Sequence, residues 1–154
     1  MTSPLQRAIV TGLISFQFAR PANDSGRVVA HPGCREAYHS GNICDLRRNL
    51  KDIKEDFPFI DFEHCGEDDP TVPHFGIPGE TCDSVVDRMY DFTSWLWTDM
   101  VASSSSCVGV ASHSVSLFAL TNGVLHFHEG AGEEATGIFG TGEMREFHLE
   151  REEN

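Results

Sequence analysis

Three residues have side chains suited to handling an anion. His113 lies in Cys107-Val-Gly-Val-Ala-Ser-His-Ser114, an apolar, β-favouring run that breaks into small polar residues before an apolar stretch resumes at Val115. A short strand, a polar turn and a helix are the parts of a ligand site, because ligands gather at strand carboxyl ends and helix N-termini. Arg7 falls one turn inside a first helix. Its guanidinium offers forked donors that fit phosphate oxygens, and the plainer reading is a solvated helix arginine. Glu36 follows Val28-Val29-Ala30 after a Pro-Gly loop. A carboxyl held near a phosphate resists ionisation and can act as a general acid, whereas the plainer reading is a surface glutamate.

The elements that must position these residues are legible from periodicity. Thr2-Ser3-Pro4 opens a helix with a capping residue and a proline, and Leu5, Ile9, Leu13 and Phe16 recur at helical spacing over Leu5–Phe18. Val28–Ala30 reads as a short strand ended by His31-Pro32-Gly33. Leu46 to Glu55 is a second helix, stopped by Phe57-Pro58. Ile60 to Gly79, with Pro70, Pro73 and Pro78, is a long loop of the kind that forms lids or binding segments. Glu80 to Met100 is the strongest helix, with Val85, Met89, Phe92 and Leu96 on one stripe and Asp83, Asp87 and Asp91 off it. Val115–Leu125 is a helix, Gly130–Gly137 a loop, and Ile138-Phe139 and Phe147-His148-Leu149 are short strands. Helices alternating with short strands predict an α/β fold with a mostly parallel sheet.

Composition narrows the function classes. The 154 residues are 40% hydrophobic, which suits one domain over 1–149 with an acidic tail at 150–154. A formal net charge of −13 would repel nucleic acid and anionic membrane over most of the surface. No run approaches the roughly 20 apolar residues of a membrane span. The five cysteines are odd in number and form no C-x-x-C pair, and no apolar leader is visible, so a cytoplasmic protein with reduced thiols is expected. His64-Cys65, His74, Cys82 and His126-x-His128 lack the tight ligand pairs of structural zinc, so no metal is expected.

Taken in order, these motifs resemble the histidine phosphatase superfamily. Ser3-Pro-Leu-Gln-Arg-Ala-Ile-Val-Thr-Gly12 is similar to its S-P-L-x-R-A-x-x-T-A helix, and Val110-Ala-Ser-His-Ser114 to its second-histidine segment V-x-[ST]-H-S. Phe139–Arg145 looks like the closing F-x-N-x-E-x-R. Arg35-Glu36, Cys44-Asp-Leu-Arg-Arg48, Phe57-Pro-Phe-Ile-Asp-Phe62, Glu80-Thr81 and Trp95-Leu-Trp97 follow the series of the phosphoglycerate mutase-like members of plant and fungal type. The resemblance implies a three-layer α/β sandwich around a mostly parallel sheet. It also implies Arg7 as a phosphate-pocket arginine, Glu36 as the proton donor and His113 as the second pocket histidine. The implied reaction moves a phosphoryl group from a small phosphorylated substrate to a nucleophilic histidine and then to water, without metal or cofactor.

One family segment has no counterpart. L-x-R-H-G-E, which supplies the nucleophilic histidine and a first arginine, occurs nowhere in the 154 residues. The resemblance therefore implies an N-terminally truncated member that lacks its first, central strand and is inactive alone, or a non-catalytic phosphate-binding or scaffold relative. His31 is the other histidine at a strand edge, but nothing in the sequence places a guanidinium beside it. Val115 and Thr141 stand where the family often has Gly and usually has Asn.

Overall fold

The apolar stripe of the longest helix is what the molecule is packed on. The computed structural model describes residues 1–16, 27–38, 43–66, 79–103, 107–127 and 133–150. Helix α3 (Cys82–Ser103) buries Val85, Met89, Phe92 and Leu96, while Asp83, Asp87 and Asp91 face solvent. Each such fully buried side chain contributes about 2 kcal/mol of apolar transfer energy. Thr81 caps the helix, its Oγ1 accepting from the Ser84 N–H at 3.2 Å. This stripe gathers Cys34, Ala37 and Ala119 into one core cluster. Ile9 of helix α1 (Gln6–Phe16) joins Ala30, Ile60, Phe62 and two residues of helix α2 (Leu50–Asp56), Leu50 and Ile53, in a second.

The remaining helical elements are short. Helix α4 (Ser114–Ala119) runs into a π turn over Leu120–Val124, where the sequence predicts one regular helix. The turn brings Gly123 so close to α3 that a Cβ there would lie 2.7 Å from Val86. Helix α2 starts at Leu50, later than the expected Leu46, and ends where the Phe57 N–H closes on the Ile53 carbonyl. Helix α5 (Glu133–Thr136) replaces part of the loop expected over Gly130–Gly137. Pro21–Gly26, Ser104–Ser106, residues 67–78 of the long loop and the end of the acidic tail lie outside the described residues.

The expected three-layer α/β sandwich is not what forms. Among the described residues there is no strand and no sheet, only helices and three isolated parallel bridges: Val29 with Asp61, Thr2 with Ala30, and Thr2 with Ala111. Four extended segments thus lie abreast, in the order 61, 29–30, 2, 111. The physical reason is that each segment leads directly into a helix or a turn. Thr2 runs through Ser3-Pro4 into α1, Ala30 into the 3-10 turn Pro32–Cys34, Asp61 into the turn Glu63–Cys65, and Ala111 into α4. The backbone therefore turns helical before a second rung can form, and proline withholds the N–H a ladder needs. Ile138-Phe139 and Phe147–Leu149 are also not strands.

The bridges nevertheless decide which residues meet. Thr2 N–H donates to the Val29 carbonyl (2.9 Å), and Ser3 N–H to that of Ala111 (2.8 Å). Because the segments are parallel, the residues at their carboxyl ends (Ser3, His31 to Glu36, and His113) emerge on one side. Among the described residues, no helix is long and apolar enough to cross a membrane.

Candidate functional site

Ser3 joins two elements. Its Oγ accepts from the Leu5 N–H at 3.2 Å, serving one of the unpaired donors at the start of α1, and lies 2.8 Å from Nε2 of His113. His113 is the residue before α4, and its carbonyl accepts from the Leu117 N–H. The ring is 8% exposed, and burial, reinforced by the charge of Arg7, lowers its pKa from 6.5 to about 4. At neutral pH His113 is therefore an uncharged imidazole. The Ser3 hydroxyl suits either tautomer, since it both donates and accepts.

Arg7 is the second residue of α1 and is 45% exposed. Its Nη1 donates to the Cys44 carbonyl and its Nη2 to Oδ1 of Asp45 at 3.0 Å, so the turn Ile43–Asp45 holds the guanidinium in place. Asp45 opposes the effect of Arg7 on His113, and Arg88 adds to it. His113 thus sits in a field set by two arginines and one aspartate.

Glu36 is 9% exposed, and its Oε1 accepts from the Ala37 N–H at 2.8 Å. The segment that carries it is fastened to the His113 turn by two hydroxyls, Ser112 Oγ on the Cys34 carbonyl (2.7 Å) and Ser116 Oγ on that of Arg35. On its other side stands an ion cluster. Arg35 forks onto both oxygens of Glu80 at 2.7 and 2.8 Å, and Arg88 of α3 approaches the same carboxylate through Nε at 2.9 Å. Arg88 also donates to the carbonyls of Gly33 and Arg35, and Glu80 accepts from the Tyr38 N–H. These donors hold the Glu80 carboxyl below its usual pKa despite partial burial.

The three residues singled out in the sequence are linked only indirectly. Arg7 and His113 are coupled electrostatically, Glu36 is tied to the His113 turn through its neighbours, and no hydrogen bond joins any two of them directly. Sequence reasoning assigns no role to Asp45 or Glu80, although both lie in motifs that the resemblance marks, Cys44–Arg48 and Glu80-Thr81. Arg88 carries no local signal, being one polar position on a long amphipathic helix.

His31 has a different setting. Its ring stacks on Trp95 at 4.2 Å and lies 5.2 Å from the rings of His64 and Phe92, while Nδ1 accepts from the Gly33 N–H. Burial, with the charge of His64, lowers its pKa to about 4. It packs among aromatic rings. In the closing segment, the Arg145 guanidinium lies 3.8 Å over Phe139, donates to the Gly137 carbonyl and pairs with Glu143 at 2.6 Å.

All five cysteines are free thiols. Among the described residues, no group of three or more His, Cys, Asp or Glu is placed to hold a metal ion. His74 and His128 lie outside those residues. The chain matches no protein-family model, no curated protein and no solved structure.

Proposed function

We propose that this chain holds the phosphate of a small phosphomonoester as a relative of the histidine phosphatases. Arg7 is the anion clamp, His113 the neutral hydrogen-bonding partner and Glu36 the proton donor. The observation that carries this reading is the Ser3–His113 contact. It ties the start of the helix bearing Arg7 to the start of α4, so that a guanidinium and an imidazole share one corner. A guanidinium fork matches phosphate geometry, and a neutral imidazole can donate to a phosphate oxygen without the cost of burying a second charge.

The 154 residues contain no Arg-His-Gly, so they bind without appreciable turnover. In a form that also carries that segment, its imidazole attacks phosphorus and displaces the alcohol oxygen, which takes a proton from Glu36. Water then breaks the nitrogen–phosphorus bond and releases phosphate. A cytoplasmic location belongs to the same proposal and is favoured by the five free thiols.

Titration of the purified chain with inorganic phosphate and with vanadate tests the reading. Saturable binding, weakened about tenfold or more in Arg7→Ala and in His113→Ala, is expected from the loss of a charged or buried hydrogen bond. Absence of binding, or binding indifferent to both substitutions, overturns it. With p-nitrophenyl phosphate little or no hydrolysis is expected. Robust hydrolysis that disappears in His31→Ala would instead assign the nucleophile to His31.

A further inference from the structure

The Arg7 guanidinium already holds an anion, the carboxylate of Asp45. Both of its terminal nitrogens are bound to one turn, Nη1 donating to the Cys44 carbonyl and Nη2 to Oδ1 of Asp45 at 3.0 Å. A bidentate grip on phosphate uses at least one terminal nitrogen, so phosphate competes with this turn for Arg7. The two partners differ in burial. Arg7 is 45% exposed and shares a shallow pocket of about 240 Å³ with Cys44 and Arg48, whereas the Asp45 carboxylate is 9% exposed. The charge of Asp45 also acts on His113, so it lies within electrostatic reach of both residues assigned to the phosphate.

An anion arriving at Arg7 therefore meets a buried like charge. If Arg7 turned away to grip it, Asp45 would be left buried without a counter-charge, and such an unpaired charge is costly. Both costs disappear only when Asp45 moves out with its turn. The turn is suited to moving, being a single 3-10 turn of three residues, whose hydrogen-bond geometry is poorer than that of an α-helix. The chain just beyond it is tied by Arg48 to Oε1 of Gln6 and to Asp56, and exposed pairs such as Arg48–Asp56 contribute little. We infer that Asp45 is the resident counter-ion of Arg7, a latch that phosphate must displace before the guanidinium can grip it. The latch rests on the phosphate reading of Arg7 and adds regulation to the same site. It acts as a threshold. Displacing Asp45 subtracts the same free energy from every ligand, so the latch lowers affinity for all anions and keeps weakly held ones off the clamp.

Asp45→Asn isolates the charge, because its amide oxygen still accepts from Arg7. Titrated with inorganic phosphate, Asp45→Asn binds about tenfold tighter than the unaltered chain, the difference between a charge-assisted and a neutral hydrogen bond. In the Arg7→Ala background the same substitution changes affinity by no more than about twofold, since no shared partner remains. A second measurement needs no substitution at Asp45. In the unaltered chain the NMR amide signals of Cys44 and Asp45 shift in step with phosphate saturation. Affinity unchanged or reduced in Asp45→Asn, a gain that persists without Arg7, or Cys44 and Asp45 amides unmoved at saturation overturns the latch. The phosphate reading then stands as long as binding by the unaltered chain still needs Arg7 and His113. Failure of both the unaltered chain and Asp45→Asn to bind inorganic phosphate removes the phosphate reading itself, and the latch with it.

Discussion

Nε2 of His113 lies 2.8 Å from Oγ of Ser3, a contact between residues 110 positions apart and both buried. The Ser3 hydroxyl also receives the Leu5 N–H, so one oxygen both caps a helix and orients a ring. Ser3 comes directly after Thr2, whose two bridges hold the first residues between Ala30 and Ala111. The contact therefore depends on the pairing of the extended segments.

Replacing that hydroxyl removes two hydrogen bonds at once. Ser3→Ala should lower the unfolding free energy by about 1–3 kcal/mol, the sum expected for a lost cap and an unpaired buried ring nitrogen. Urea denaturation monitored by circular dichroism reads this directly. A loss below about 0.5 kcal/mol would mean that the oxygen serves neither partner.

Acid should destabilise the protein through two of its histidines. The folded-state pKa values of His113 and His31 are both lowered to about 4, whereas in the unfolded chain each takes up its proton near 6.5. Between those values the unfolded state binds more protons, so stability falls as pH drops from about 6.5 to about 4 and levels off with respect to these groups below that. The carboxyls of Asp61 and Glu80 are held low, and their contribution is lost only below their ordinary 3.8 and 4.5. Urea midpoints measured across pH 4 to 7 should rise with pH, and His113→Asn should flatten part of the slope. A midpoint independent of pH over this window would place both rings in water.

Phosphate should raise the pKa of His113. The ring is kept neutral by burial and by the charge of Arg7. An anion seated on Arg7 offsets that charge, and linkage requires that phosphate binding and imidazole protonation favour each other. Titrating the His113 ring protons by NMR with and without saturating phosphate should show an upward shift, absent in Arg7→Ala. An unmoved titration at saturation would place the anion away from this corner.

Glu80 should be costly to remove. Its carboxylate, 15% exposed, is shared by Arg35 and Arg88, which are 31% and 16% exposed. Glu80→Ala leaves two guanidiniums facing each other without a counter-charge, a change worth about 3 kcal/mol for a largely buried pair. It also frees the segment that carries Glu36. Thermal unfolding should show a drop of several degrees, partly recovered in Glu80→Ala/Arg88→Leu, where the repulsion is gone. No recovery in the double variant would assign the loss to packing.

Much of the helical framework is legible in the sequence. Val85, Met89, Phe92 and Leu96 mark their own buried face, because a helix converts a spacing of three and four into one stripe. Ser3-Pro4 marks the start of α1 for an equally local reason. The extended segments mislead, because Val28–Ala30 and Cys107–Ala111 have the composition of strands yet build no sheet. A ladder needs a partner of matching length, and every partner here turns helical almost at once. Arg88 is not legible at all, since only packing sends its guanidinium to Gly33, Arg35 and Glu80.

By itself the sequence offered Arg7, Glu36 and His113 as candidates for handling an anion, and determined where each stands relative to the end of its own element. Those properties come from side-chain chemistry and from interactions within a few residues. Tertiary structure alone decided that Ser3 meets His113, that Arg7 shares a pocket with Arg48, and that the segment carrying Glu36 is fastened to the His113 turn. These are meetings across 37 to 110 positions, set by three parallel bridges and two packed clusters, and spacing along the chain carries no record of them.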